Sequence, residues 1–188
     1  GLSYAVSNRG ACHLQAEHDD FFEDPSWLFP EIGLDKTIDR LDMGREKARM
    51  VKVLGDFKAL YDSLSTCIYA SWPEGGVRLQ TIKDIVAAAT GWDVTLAELM
   101  TVGERAFNLC RAFNVREGIS KKDDALPARL MEPLPEGLYQ GEAIPKDQFE
   151  QMLDYYYEFR GWDKETGIPT REKLEALGLG YVADQLKS

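Results

Sequence analysis

Histidine and cysteine are scarce in this chain: 188 residues contain two histidines and three cysteines. Cys12, Cys67 and Cys110 are odd in number and far apart, with no Cys-x-x-Cys pair. That excludes a locally encoded zinc site or disulfide framework. A reducing, cytoplasmic setting fits best. Three thiols also fall short of the four that a four-iron cluster ordinarily takes, so any cluster needs ligands from elsewhere. No apolar run is long enough to span a bilayer, and there is no signal peptide. Positive charge is short as well: 22 Lys and Arg against 32 Asp and Glu leave a net charge of −10. The acidic balance argues against nucleic acid and anionic membranes as partners. No stretch alternates apolar and polar residues in the manner of a strand, and an initiator methionine is missing, so the start reads like a cut inside a longer protein.

What is present is an ordinary globular composition, 44% hydrophobic and 29% charged, with helical spacing throughout. From Arg45 to about Thr66, apolar residues recur at 50, 53, 54, 57, 60, 61, 64, 67 and 68, the three-and-four rhythm of one helix face. Gly55 weakens that helix and allows close packing. Thr81-Ile-Lys-Asp84 reads as a cap for a short helix ending at Gly91. Thr95-Leu-Ala-Glu98 is a capping box, opening a helix to about Val115 with Leu96, Leu99, Met100, Phe107, Cys110 and Phe113 on its apolar face. A proline- and glycine-bearing loop runs from Ile119 to about Ile144, longer than a usual connection. Pro145 opens the next helix, with Phe149, Met152, Leu153 and Tyr156 inward. Residues 161–169 form a turn, and Thr170 caps a last helix that stops at Gly178. The expected fold is all-α, a multi-helix domain with long irregular loops: an irregular N-terminal segment, 1–44, precedes a helical body, 45–188.

Few side chains suggest chemistry. Cys67 closes the run Asp62-Ser-Leu-Ser-Thr-Cys67. It reads either as a small buried hydrophobe or as a thiolate ligand for a soft metal, with Asp62 as a buried hydrogen-bond acceptor on the helix face shared with Thr66. His13 lies among Gly and Asn, in irregular backbone of the kind that often carries function. The acidic run Glu17-His-Asp-Asp20 reads as a solvated face without metal-ligand spacing. Arg111 and Arg116 suit either a phosphate or surface pairing with Glu104 and Glu117.

Several blocks, in this order, carry a family resemblance: Ser7-Asn-Arg-Gly-Ala-Cys-His13, Asp62-Ser-Leu-Ser-Thr-Cys67, Gly103-Glu-Arg-Ala-Phe-Asn108, Phe113-Asn-Val-Arg-Glu-Gly118, Lys122-Asp-Asp-Ala-Leu-Pro127 and Arg160-Gly-Trp-Asp-Lys-Glu-Thr-Gly-Ile-Pro-Thr170. Over nearly its whole length the chain resembles the C-terminal helical domain of the tungsten- or molybdenum-pterin aldehyde ferredoxin oxidoreductases. The resemblance implies the last part of a three-domain enzyme, partnered by N-terminal and middle domains that share a tungsten or molybdenum bis-pterin and a 4Fe-4S cluster. Cys67 matches the cysteine that ends an Asp-x-x-Gly-Leu-Cys motif and supplies one cluster ligand. Asp62 matches the acid that hydrogen-bonds a pterin, Thr66 the residue that touches it, and His13 the histidine near the metal that assists substrate. Ser65 and Thr66 stand where the motif has Gly and Leu. The implied reaction oxidises a small aldehyde to a carboxylate and passes electrons to ferredoxin, a domain expressed alone being inactive. The alternatives are a relative that reduces another substrate, such as an aromatic thioester, and a non-catalytic interaction module derived from the domain. An apolar docking surface is expected near residues 60–70 and 100–118, with His13 close to the face bearing Asp62 and Cys67.

Overall fold

The computed structural model describes residues 1–71 and 76–186. Among them are seven α-helices and no extended strand: α1, Leu2–Val6; α2, Arg45–Ser63; α3, Leu79–Thr90; α4, Leu96–Arg116; α5, Lys146–Arg160; α6, Arg171–Ala176; and α7, Gly180–Gln185. Pairing between extended segments is limited to isolated bridges such as Phe29–Leu34 and Trp162–Pro169.

α2 is the axis of the molecule. It packs along α4 and α5, with α1 across its start, while α6 and α7 close over α4. Its apolar spacing explains why. Met50, Leu54, Phe57, Leu60 and Tyr61 are all buried and meet Phe22, Phe29 and Leu34 from the N-terminal segment. A second core joins Leu2 and Val6 of α1 to Val51, Phe107, Phe149, Met152 and Trp162. Each buried side chain of this size contributes about 1.5–3 kcal/mol relative to exposure.

Two glycines set how closely the helices approach. A Cβ on Gly103 of α4 would lie 2.0 Å from the Asp56 carbonyl oxygen of α2, so only glycine lets these backbones touch. A Cβ on Gly55 would lie 2.7 Å from Arg160 Nη2. The room it leaves admits a fully buried guanidinium, which pairs with Asp56, donates from Nε to Tyr156 Oη at 2.8 Å and lies over the Phe107 ring at 3.7 Å. Burial is tolerable because charge, donors and face are all engaged.

The helix ends follow local chemistry with one exception. Thr95 and Glu98 form the expected capping box, the Glu98 N–H reaching Thr95 Oγ1 at 3.2 Å and the Thr95 N–H reaching Glu98 Oε2 at 2.8 Å. Thr170 accepts from Lys173 N at 3.2 Å. Thr81 is not a cap: α3 begins two residues earlier, because buried Leu79 anchors its first turn. Residues 19–32 make three short 3₁₀ turns and the long loop after α4 makes two, at Lys121–Asp123 and Ala128–Met131.

Candidate functional site

The C-terminal end of α2 is built by a local hydrogen-bond motif. Thr66 N–H donates to the Tyr61 carbonyl at 3.0 Å and Ser65 N–H to the Asp62 carbonyl at 3.1 Å. This six-to-one and five-to-two pair is a Schellman cap, whose residue after the helix adopts the left-handed conformation. Ser65 does so with φ +53°, alone among the described non-glycine residues. The helix therefore ends at Ser63, and Thr66 and Cys67 lie on the turn beyond it, not on a helix face shared with Asp62. Asp62 is exposed, not buried, and its carboxylate has no hydrogen-bond or ion-pair partner among the described residues. Thr66 is half-buried, its Oγ1 3.5 Å from the Leu64 carbonyl. Cys67 is exposed and precedes the 3₁₀ turn Ile68–Ala70.

Asp62 lines an open groove of about 660 Å³ between α2, α4 and residues 8–15. Ala59, Phe107, Leu109 and Phe113 make it apolar; Arg9, Asn114 and Cys110 add polar groups. Phe113 and Cys110, assigned inward by periodicity, are exposed here, Phe113 by 55%. Tyr69 and Leu109 are also exposed, so the expected apolar surface lies around residues 60–70 and 100–118. Although its surface is open to the groove, the protein packed around the Cys110 thiol partly desolvates it, and this, then the nearby Asp62 charge, raises its pKa. Spacing in α4 shows which residues share a face, not that the rest of the chain leaves this end of the face uncovered.

The Ser7–His13 block is clamped to α4. Asn8 Nδ2 donates to the Phe107 carbonyl at 3.0 Å, and Asn114 Nδ2 donates to the Asn8 carbonyl at 2.7 Å. Asn8 Oδ1 remains a buried acceptor without a partner. Sequence reasoning missed Asn8, Arg9 and Asn114 as site residues, although both of their blocks were distinctive.

His13 is exposed and lines a second, larger cavity of about 790 Å³, walled by α1, the starts of α2 and α5, and residues 129–145. Asp62 is not in its walls; the segment 8–15 spans the two, with Asn8, Arg9 and Gln15 facing the groove. Glu17, read as solvated, is instead buried and ion-paired with buried Lys58, and Asp19 pairs with Lys47 at 3.1 Å. These pairs pin the His13 loop to α2. Among the described residues, no group of three or more His, Cys, Asp or Glu is arranged to hold a metal.

The remaining blocks are structural. Arg111 is buried, not a surface residue, and pairs with neither glutamate: it grips Asp124 through Nη1 at 2.7 Å and Nη2 at 2.6 Å. Its Nε donates to the Gly167 carbonyl at 3.0 Å, and Tyr157 Oη donates to Asp124. Trp162 Nε1 donates to Asn108 Oδ1 at 2.7 Å. These bonds explain the Lys122–Pro127 and Arg160–Thr170 blocks as a buried polar lock. Arg116 does pair with Glu117, at 3.0 Å on the surface.

The family model for aldehyde ferredoxin oxidoreductase, domains 2 and 3, matches residues 1–179. The tungsten-containing aldehyde ferredoxin oxidoreductase of Pyrococcus furiosus is 36% identical over 182 residues, covering 95% of this chain and 27% of that protein. The corresponding protein of Thermococcus kodakarensis is 35% identical with the same coverage. An aliphatic sulfonate oxidoreductase, WOR-like subunit, of Pyrococcus furiosus is 32% identical over 136 residues, covering 69% of this chain and 21% of its own. Among solved structures, the active-site complex BamBC of benzoyl coenzyme A reductase superposes with a TM-score of 0.66 over 89% of this chain and 26% of that one, at 24% identity, which establishes likeness of fold. The chain thus spans about a quarter of the length of the curated relatives it matches, and it belongs to the aldehyde ferredoxin oxidoreductase family, within the region of that family's domains 2 and 3.

Proposed function

We propose that this chain is the part of a cytoplasmic oxidoreductase that oxidises a small aldehyde to the carboxylate and hands two electrons to ferredoxin. The observation that carries the reading is the Schellman turn, which presents a free carboxylate at Asp62 and an exposed thiol at Cys67 from one short segment beside an open apolar groove. The donor set suits the two groups. An exposed thiolate is a soft ligand for iron, and an unpartnered carboxylate accepts N–H bonds from a heterocycle. Cys67 is assigned one 4Fe-4S position, Asp62 and Thr66 contacts to the pterin, and the N-terminal and middle domains the other ligands.

The tungsten or molybdenum bis-pterin supplies the two-electron chemistry when bound, and the cluster relays electrons singly. This chain supplies the surroundings. Aldehyde and water yield carboxylate, three protons and two electrons, so a base is needed near the reacting carbon. His13, held on a loop pinned by the Glu17–Lys58 pair and facing a cavity with Leu2, Met50 and Met152 in its walls, is assigned to position substrate and take a proton. The apolar part of the wall favours a hydrocarbon substituent, and the charged part leaves the cavity open to the water that the reaction consumes. The aldehyde reading is preferred over sulfonate or thioester chemistry because the aldehyde relatives match 95% of the chain, against 69% for the sulfonate relative.

The test is an aldehyde panel with ferredoxin on the parent protein and its His13→Ala variant. The expected result is aldehyde oxidation in the parent and, in the variant, kcat lowered about 100-fold with KM little changed. No oxidation of any aldehyde by the metal-loaded parent contradicts the reading; an unchanged kcat assigns His13 to structure.

A further inference from the structure

The long loop after α4 walls the His13 cavity, and the proposed reading gives it no role. It is not a slack connection. Leu134 N–H donates to the Glu142 carbonyl at 2.9 Å and Gly141 N–H donates to the Leu134 carbonyl at 2.9 Å, so residues 134–142 close on themselves. Inside that closure Gln140 Nε2 donates to the Pro135 carbonyl at 3.0 Å. The stretch before it is the 3₁₀ turn Ala128–Met131, whose Leu130 N–H donates to the Pro127 carbonyl at 2.9 Å. One end of the loop is held where Arg111 grips Asp124, and the other runs into α5 at Pro145. A compact loop bonded to itself and fixed at both ends keeps a definite shape.

The two walls of the cavity differ. The helical body presents Leu2, Met50, Phe149 and Met152, each at most 5% exposed. The loop presents Leu130 and Leu134, which are 43% and 45% exposed. A leucine that lines a cavity on a fixed wall and stays almost half exposed leaves apolar surface in water for a ligand to cover. Leu138, on the same loop, is outside the cavity walls. The cavity, at about 790 Å³, is of a size that encloses a molecule much larger than a two-carbon aldehyde. Its charges are also arranged. The lysine and arginines in its walls are all engaged: Lys47 with Asp19, Arg40 with Glu23 and Arg129 with Glu132. Glu142, on the loop wall, makes no ion pair among the described residues. An anionic substituent would meet that carboxylate and no free guanidinium or ammonium group.

We propose that this loop selects the substrate: Leu130 and Leu134 cover an uncharged aryl or branched alkyl substituent of the aldehyde, and Glu142 turns away substituents that carry negative charge. This rests on the reading above, in which the aldehyde is handled beside His13 in this cavity, and adds to it the residues that choose among aldehydes.

The test is kcat/KM of the metal-loaded parent protein, with ferredoxin as acceptor, for acetaldehyde, benzaldehyde and 4-carboxybenzaldehyde. Leu130→Ala and Leu134→Ala should each lower the value for benzaldehyde about tenfold and leave that for acetaldehyde within about twofold, because only the larger substituent reaches the loop. Leu138→Ala, which removes a leucine of the same loop outside the cavity, should change neither. Glu142→Gln should raise the value for 4-carboxybenzaldehyde about fivefold and leave benzaldehyde unchanged, because it removes a like charge. All four side chains are exposed, so the variants should keep the parent's melting temperature. Equal losses for acetaldehyde and benzaldehyde in the Leu130 and Leu134 variants, or no loss for either, overturn the proposal and leave the aldehyde reading intact. A matching loss in Leu138→Ala, or no gain for 4-carboxybenzaldehyde in Glu142→Gln, does the same. A parent protein that oxidises no aldehyde overturns both.

Discussion

Ser65 is the residue at which chemistry and backbone disagree most openly. Its φ of +53° lies where Cβ crowds the following carbonyl, at about 1–2 kcal/mol for a non-glycine residue. The resemblance implies glycine at this position, and the Schellman geometry accounts for that preference: the residue after the cap must be left-handed for the chain to turn out toward Cys67. Ser65→Gly should therefore stabilise the chain by about 1 kcal/mol after allowance for glycine's greater freedom when unfolded, seen as a higher urea midpoint. A lower midpoint would mean that the serine side chain contributes more than its backbone costs. Surface carboxylates give a second prediction. Hydrogen bonds from Arg40 hold Glu23 down to about 2 from an ordinary 4.5. A depressed pKa stabilises the folded state in full above pH 4.5, and the contribution is lost as pH falls toward 2. In Arg40→Ala that part of the acid dependence should flatten, as followed by thermal melts between pH 5 and 2; an unchanged slope would show that the pair does not act in solution.

At the scale of elements, the decisive contact is α2 against α4. Gly103→Ala places a Cβ within 2.0 Å of the Asp56 carbonyl, backbone against backbone, so the helices must separate. Destabilisation of about 3 kcal/mol is expected, measured by urea unfolding, and a loss below about 1 kcal/mol would mean the helices part easily. Much of this architecture was legible in the sequence. α2, α4, α5 and α6 follow from apolar spacing and from caps at Thr95 and Thr170, because amphipathic period and capping are both local. α1 and α7 were missed: helices of five and six residues are too short for a period to register and are held by tertiary contacts. Arg111 was misread for a related reason. Its partner Asp124 lies 13 residues on, beyond a loop, and no spacing rule connects them. Asp62 and Cys67 were legible as chemistry but not as geometry, since a Schellman turn moves Cys67 off the helix that periodicity extended through it. The clamp of Asn8 and Asn114 joins residues 106 apart and leaves no signal in a single sequence.

The described residues form one packed helical body with an open, partly apolar groove on one face. Its interior polar groups are locked together: Arg160 on Asp56, Arg111 on Asp124, Lys58 on Glu17. At the groove the pattern reverses: Asp62, Arg9, Cys110 and Phe113 line it with exposed side chains, and Cys67 and Tyr69 are exposed on the chain that follows Asp62. A family member that spans about a quarter of its relatives' length is expected to present such a face to the rest of the enzyme. The central claim is that residues 62–67 serve two redox centres at once, Asp62 the pterin and Cys67 the cluster. The measurement that tests it most directly is the iron and tungsten (or molybdenum) content of the purified parent protein carrying Cys67→Ser or Asp62→Ala. Cys67→Ser should lose iron, because a hydroxyl is a poor substitute for a soft thiolate. Asp62→Ala should keep its iron and lose tungsten or molybdenum, because the heterocycle loses an acceptor. Full iron in Cys67→Ser, or equal loss of both metals in the two variants, would contradict the account.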